Sequence, residues 1–251
     1  MSSRDLAVAI LAAVFATVPA ASSHAQVPDK FTNLKVLPKD IQKQDLVRIM
    51  RGFSMSLNVR CQHCHKGEDS ADLKKMDFAA DDKENKMVAR AMMGMTKQIN
   101  TTLQTELGPK RPHPLEVTCY TCHHGNSKPE TLAHALTTEL DAHGVDSTVA
   151  MYRRLRGEFY GRAAYDFGEW SLISIAEDVS RDPARANAAL ALLTENLAYY
   201  PESAGTLARI GETYLVMGDS TAALANFDKA IAIAPEDPWL KRRVERLRSK
   251  K

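Results

Sequence analysis

The sequence is short of three features that define common protein classes. Its 33 Lys and Arg residues nearly balance its 31 Asp and Glu residues, for a formal charge of +2, so no basic excess indicates a nucleic-acid-binding protein. Its one long apolar run, from Leu6 to Ala21, contains Pro19 and is shorter than the roughly 20 apolar residues of a membrane span. It has only four cysteines, and none lies where a lipoprotein anchor would be attached. Without these features, the sequence is most consistent with a globular protein of one or two domains.

The first 25 residues have the composition of a secretory signal peptide. Arg4 precedes the apolar run, and Ser23-His24-Ala25 resembles an A-x-A cleavage site before Gln26. We therefore expect a signal peptide over 1–25 and a mature protein in the periplasm.

All four cysteines fall in two copies of one short pattern, C-x-x-C-H. In this pattern two thiols bond to one porphyrin as thioethers, and the histidine that follows binds the iron. The sequence therefore predicts two covalently bound haem c groups, one attached by Cys61 and Cys64 with His65 on the iron, the other by Cys119 and Cys122 with His123 on the iron.

Zinc sites, disulfides and thioredoxin-type redox pairs also use C-x-x-C pairs. A four-cysteine zinc site has pairs about 15 to 20 residues apart, whereas position 119 follows position 64 by 55 residues. Neither pair precedes a βαβ pattern. A disulfide does not require histidine after the second cysteine, and here histidine follows both times. The pattern therefore favours haem.

A predicted helix leads into the first motif. Pro38 and Asp40 precede apolar residues that recur at spacings of three and four, namely Leu46, Ile49, Met50, Phe53 and Leu57. Met50 lies 11 positions before Cys61, about three helical turns, so a helix beside the porphyrin could present its thioether to the iron. Core packing is the alternative role for Met50.

A longer predicted helix leads into the second motif. Asp81 is a candidate N-cap with Glu84 three residues later, and Gly108-Pro109 ends the helix. One face carries Val88, Met92, Met95, Ile99 and Leu103. Spacing alone does not decide between Met92 and Met95 as an iron ligand.

Beyond position 130 the sequence becomes rich in alanine. We predict a haem-binding domain over 26–130, a linker over 131–146 and a helical domain over 147–251. Residues 204–237 match the tetratricopeptide repeat at Leu207, Ile210, Gly211, Tyr214, Ala223, Phe227, Ala230 and Pro235. A degenerate repeat over 170–203 precedes it, and a basic helix over 238–251 would cap the stack.

Three segments carry a resemblance to a known family: LPKDIQKQDLVRIMRGFSMSLNVRCQHCH, DFAADDKENKMVARAMMGMTKQIN and VTCYTCHHG. They resemble the photosynthetic reaction centre cytochrome c subunit family over about 31–126. The resemblance implies that a helix, a turn and C-x-x-C-H bind each haem, with a methionine from the helix as the sixth iron ligand. By position it implies Met50 for the first haem and Met92 for the second, with Met95 as the fallback. The family carries four motifs and this chain two, so the chain resembles a half-length relative.

We therefore expect an all-α protein, with a multihaem c-type cytochrome domain followed by a tetratricopeptide-like domain. It would carry single electrons between a protein donor and acceptor, such as a membrane-bound photosynthetic or respiratory complex, and would not be an enzyme. One alternative is a dihaem peroxidase-like enzyme or small-substrate reductase with one five-coordinate haem. Another is a periplasmic repeat-domain adaptor or redox sensor that binds a protein partner.

Overall fold

The computed structural model describes residues 27–67, 73–108, 113 and 115–249, and these residues form an all-α fold. Three α-helices lie in the N-terminal half: α1 (Lys43–Leu57), α2 (Glu84–Glu106) and α3 (Cys119–His123). Short 3-10 helices at Cys61–His63 and Leu73–Lys75 lie between α1 and α2. The predicted signal peptide over 1–25 lies outside the described residues.

Seven further α-helices follow in the C-terminal half of the described chain. They are α4 (Leu132–His143), α5 (Val145–Phe159), α6 (Glu169–Ser180), α7 (Ala186–Tyr199), α8 (Ala204–Val216), α9 (Ser220–Ile233) and α10 (Pro238–Arg248). Among the described helices, none is both long enough and apolar enough to cross a bilayer.

The C-terminal helices begin where polar side chains cap them. Ser203 accepts a hydrogen bond from the backbone N–H of Thr206, and Asp219 accepts from two N–H groups at the start of α9. Asp237 does the same for α10, with Pro238 in the first helical turn. Each cap satisfies backbone donors that would otherwise lack a partner, and so fixes where the helix starts.

The hydrophobic core lies in this C-terminal half. Successive helices from α6 to α10 pack against one another, and α4 packs against α5 and α6. One cluster of buried side chains centres on Leu136, Tyr152, Leu172 and Leu192. A second cluster, around Phe227 and Leu240, joins α8, α9 and α10. The two clusters make a continuous helical layer from α4 to α10.

The segment predicted as a linker, 131–146, contains a helix. Helix α4 is capped by Thr131, whose hydroxyl accepts from His134 N, and it buries Leu132, Ala135 and Leu136 in the first cluster. The irregular part of the chain lies before it, at positions 124–131. The other predicted boundaries stay predictions, although the spans 170–203 and 204–237 each hold most of two helices.

Gly211 allows α8 and α9 to approach closely. A Cβ at position 211 would lie 2.9 Å from the ring of Phe227, which is fully buried and cannot move aside. We expect Gly211→Ala to lower the free energy of unfolding of the C-terminal half by about 1–3 kcal/mol, measured by urea denaturation.

Gly157→Ala is the matched control for that substitution. Gly157 lies inside α5, and a Cβ added there would have no atom of a neighbouring residue within 4 Å, so alanine should stabilise the helix by about 0.5–1 kcal/mol. Equal effects of the two substitutions would contradict the close approach of the helices at Gly211.

Candidate haem-binding site

The first C-x-x-C-H segment follows directly from the end of α1. Asn58 caps the helix in the left-handed conformation, with φ of 52°, which stops the helix and redirects the chain. A 3-10 turn follows at Cys61–His63, and the backbone N–H groups of Cys64 and His65 both donate to Cys61 O, at 3.2 and 2.9 Å. This turn keeps Cys61, Cys64 and His65 together at one end of α1.

The chain then folds back over His65. Asp77 N donates to Lys66 O at 2.8 Å, and this bridge brings the Phe78 ring edge-on to the His65 imidazole, with 5.1 Å between ring centroids. Burial, followed by the positive charge of Lys86, lowers the pKa of His65. The imidazole is therefore held in its neutral form, which is the form that binds iron.

Lys86 organises the loop that covers His65. Its side chain is buried, and its ammonium donates to three successive backbone carbonyls at distances between 2.6 and 3.1 Å. Those carbonyls belong to Phe78, Ala79 and Ala80, so one lysine fixes the turn that positions the Phe78 ring.

Asp81 completes this arrangement, and it is not the helix N-cap that the sequence predicted. Helix α2 begins at Glu84 with Lys83 in the cap position and no side-chain cap. The Asp81 carboxylate instead binds Lys35 at 2.7 Å, Arg90 at 2.8 Å and Lys86 at 3.1 Å. The hydrogen bond from Lys35 and those from the other two cations hold the pKa of Asp81 well below its usual range.

The second C-x-x-C-H segment forms a helix of its own, α3. Thr118 and Thr121 make a reciprocal capping box at its start. The preceding residue, Val117, is fixed to α2 by Asn100, whose amide donates to Val117 O at 2.8 Å and accepts from Val117 N at 2.7 Å. This two-sided contact sets the position of Cys119 and Cys122 relative to α2.

The imidazole of His123 is oriented by the backbone. Its Nδ1 lies 2.8 Å from Asn126 O, so Nδ1 carries the proton and donates it to the carbonyl. In the neutral tautomer with this hydrogen bond, the other ring nitrogen, Nε2, is the one with a free lone pair. Histidines that bind metals commonly have this arrangement, because the hydrogen bond fixes both the tautomer and the ring orientation.

Helix α2 has an apolar face that the described protein leaves uncovered. Val88, Met92, Met95 and Ile99 share this face, and each is more than a third exposed. The helix makes no extensive contact with any other described helix, and its one buried residue is Lys86. Apolar side chains on a long helix need an apolar partner. A porphyrin attached at α3 would be such a partner, so the residues present fit a haem.

The predicted methionine ligands lie on the two helices that precede the motifs. Met50 is partly buried on α1, whereas Met55 on the same helix is 77% exposed. Met92 and Met95 lie on α2 with exposures of 41% and 50%, which does not separate them. The assignments of Met50 and Met92, with Met95 as the alternative, therefore stay predictions.

The cysteine side chains are not joined to one another. The described residues include all four cysteines, and none of these forms a disulfide. Across the described part of the chain, no three His, Cys, Asp or Glu side chains converge as ligands of one metal ion would. Burial raises the pKa of the Cys64 and Cys119 thiols, so both are protonated near neutral pH in the protein without haem.

Several residues that shape the site were not identified from the sequence. Phe78, Lys86, Asn100 and Asn126 act through contacts with residues distant in the chain or with backbone groups. A lysine in a helix that follows an aspartate-rich turn predicts only a surface ion pair. The order of side chains in a sequence does not indicate which of them will hydrogen-bond to a backbone carbonyl group.

Comparison with known proteins gives one match. The family model described as photosynthetic reaction centre cytochrome C subunit matches residues 4–155, more than half of the chain. No curated protein and no solved structure shows significant similarity to the chain.

The contacts of Asp81 predict a dependence of stability on pH. Because its pKa is lower in the folded protein than in the unfolded chain, its contribution is complete above about pH 4 and is lost as the pH falls towards the folded value. We expect Asp81→Asn to destabilise the protein at pH 7, and the difference from the unchanged protein to narrow below about pH 4, as measured by urea denaturation across pH.

Asp40→Asn removes an exposed carboxylate outside this cluster and serves as the control. It should leave the pH profile close to that of the unchanged protein. If the difference in the free energy of unfolding between Asp81→Asn and the unchanged protein stays constant from pH 7 to pH 2, the lowered pKa of Asp81 is contradicted.

Proposed function

Because the chain belongs to the photosynthetic reaction centre cytochrome c subunit family, we propose that it is an exported dihaem c-type cytochrome that passes single electrons between protein partners. Members of this family carry electrons and are not enzymes. A protein donor and acceptor are therefore expected, and a membrane-bound photosynthetic or respiratory complex is a suitable partner. The predicted signal peptide, 1–25, would direct the chain to the periplasm.

The observation that carries this proposal is the pairing of each C-x-x-C-H segment with a methionine-bearing helix. Asn100 fixes the second segment to α2, and the Gly125 N–H donates to Ser56 O of α1 at 2.9 Å. These two contacts hold the second segment beside both α1 and α2, and the first segment follows directly from the end of α1. The four cysteines would hold two haem c groups covalently, and His65 and His123 would bind the irons.

Bound haem c exchanges single electrons by cycling its iron between ferrous and ferric states. The protein's part is to saturate the iron and to exclude water. His65 and His123 would each bind one iron, and Met50 and Met92 would be the second protein ligands of the same two irons. Saturated iron has no open position for oxygen, peroxide or nitrite, which favours an electron carrier over a peroxidase-like enzyme or a small-substrate reductase.

The sixth ligand of the second haem can be identified by a matched pair of substitutions. We expect Met92→Ala in the holoprotein to let carbon monoxide bind one of the two ferrous haems, and Met95→Ala to leave both closed, because the thioether of Met92 is the proposed ligand. The measurement is the visible spectrum of the reduced protein with and without carbon monoxide, after the haem content has been counted.

If carbon monoxide binds only after Met95→Ala, then Met95, and not Met92, is the sixth ligand of the second haem. Rapid binding of carbon monoxide to the unchanged protein would overturn the electron-carrier proposal. It would favour an enzyme with one five-coordinate haem.

For the C-terminal helices we propose a tetratricopeptide-like module that binds a protein. Hairpins α6–α7 and α8–α9 coincide with the proposed repeats, and α10 buries Leu240 and Val244 against α9 as a capping helix would. The short turn between α8 and α9 depends on Gly218, whose φ is +81°. Such modules bind partners along the surface formed by successive helices.

A groove between α8 and α10 suggests the chemistry of the partner. It has a volume of about 300 Å³ and is lined by Arg209, Glu212, Trp239, Arg242, Arg243 and Arg246. Arg243 binds Glu212, and Arg209 binds Glu177. Arg242 and Arg246 form no ion pair within the described chain, and Trp239 is 45% exposed. An acidic peptide segment fits two such guanidinium groups beside an indole.

Charge reversal in this groove tests the module. We expect the double substitution Arg242→Glu and Arg246→Glu to weaken binding of a fluorescein-labelled acidic peptide by about tenfold or more, because two attractive charges become repulsive. Fluorescence anisotropy at low and high salt measures the affinity. Arg162→Glu changes an exposed charge outside the groove and should leave binding unaltered. Equal losses in both variants would contradict a specific site.

A further inference from the structure

The hydrogen bond on His123 depends on where Asn126 is held. The two residues are joined twice, because His123 Nδ1 donates to Asn126 O at 2.8 Å and Asn126 N donates to His123 O at 2.7 Å. A displacement of Asn126 would therefore change the direction and length of the bond to the imidazole. The position of this one carbonyl oxygen determines how firmly the ring is held.

The side chain of Asn126 is itself bound at both ends. Its Nδ2 donates to the hydroxyl of Tyr165 at 2.7 Å, and its Oδ1 accepts from Lys128 N at 3.2 Å. Lys128 belongs to the same turn, so its contact is local. Tyr165 is 39 residues away in the sequence and belongs to the C-terminal half. The contact with Tyr165 is thus the one that joins this turn to a separate part of the fold.

Tyr165 is itself fixed by the core of the C-terminal helices. Its ring packs edge-on against Phe159 at 5.4 Å and against Phe167 at 5.9 Å, and it borders the first buried cluster. Residue 165 also lies beyond the part of the chain that matches the family, which ends at 155. The contact therefore comes from a region that the match to the family does not cover.

We propose that Tyr165 is a positioning residue for the second haem and that, through Asn126, it lowers the reduction potential of that haem. This inference rests on the proposed attachment of haem at Cys119, Cys122 and His123. A fixed acceptor on Nδ1–H makes the imidazole a stronger electron donor to iron, which stabilises the ferric state.

The first histidine has a different backbone neighbour, Phe78, whose interaction with the imidazole falls outside ordinary hydrogen-bond geometry. The Nδ1 atom of His65 is buried and makes no hydrogen bond of ordinary geometry to any polar atom of the described chain. Loss of the Tyr165 contact should therefore affect one haem and leave the other unchanged.

The test is a redox titration of the full-length holoprotein, followed by its visible spectrum. We expect Tyr165→Phe to move one of the two one-electron steps to higher potential and to leave the other in place. The phenylalanine keeps the ring contacts and removes only the hydroxyl that accepts from Asn126. If the hydroxyl of Tyr165 has a purely structural role, its removal would lower the free energy of unfolding without moving either redox step.

Tyr152→Phe is the matched control. Tyr152 belongs to the same buried cluster, and its hydroxyl accepts from Arg156 and does not contact Asn126. Because Tyr152 is fully buried, removal of its hydroxyl should lower the free energy of unfolding at least as much as Tyr165→Phe does. Neither redox step should change.

Asn126→Ala tests the same contact from its other side. If Tyr165 acts only through Asn126, the double variant should shift the step no further than Asn126→Ala does alone. Additive shifts, shifts of both haems, an equal effect of Tyr152→Phe, or an unmoved pair of steps would each overturn the proposal. If Tyr165→Phe fails to fold by circular dichroism, the shift expected for Asn126→Ala decides the question.

Failure of this inference can be told apart from failure of the proposed function. A protein with fewer than two covalent haems contradicts the function itself. Two haems with unmoved redox steps contradict the role of Tyr165 alone.

Discussion

The described part of the N-terminal half has almost no apolar core, and the rest of the structure depends on what replaces that core. Within the described residues before position 131, Leu46 and Met76 are the buried apolar side chains. Ordering a chain costs about 1–2 kcal/mol per residue in backbone entropy, which two buried side chains cannot offset. Two porphyrins, each bonded to two cysteines, would supply the missing apolar surface. Haem attachment would then be a condition of folding as well as of electron transfer.

Polar contacts give this half its geometry. Lys86 fixes the turn over His65, Asn100 fixes the entry to α3, and Asn126 fixes the imidazole of His123. Each of these side chains binds backbone groups, and so it specifies the course of the chain more than it adds to stability. The C-terminal helices, by contrast, bury two apolar clusters of their own. They can therefore act as a rigid support for the half that lacks a core.

The sequence was most informative where a function requires fixed local spacing. The C-x-x-C-H motif occupies five consecutive residues and can be recognised from them alone. The apolar faces of α1 and α2 follow from helical periodicity. The family match then supports the cytochrome assignment. What could not be predicted depends on residues far apart. Asp81 looked like an N-cap because Glu84 follows it, yet Lys35 and Arg90 come from other parts of the chain to bind it. The contact of Asn126 with Tyr165 spans 39 positions and leaves no local pattern.

His65 and His123, the proposed iron ligands, have different surroundings. Both differences would favour electron transfer from the second haem to the first. Burial lowers the pKa of His65, and the positive charges of Lys86 and Arg90 add to that effect. In the proposed holoprotein these cations would also disfavour additional positive charge on an adjacent iron, which favours the ferrous state. At His123 the fixed carbonyl of Asn126 would strengthen electron donation to a bound iron and so would favour its ferric state. In a protein with haem at both sites, an electron would therefore move downhill from the second haem to the first. On this proposal, two copies of one five-residue motif would acquire different redox roles from the residues that surround them.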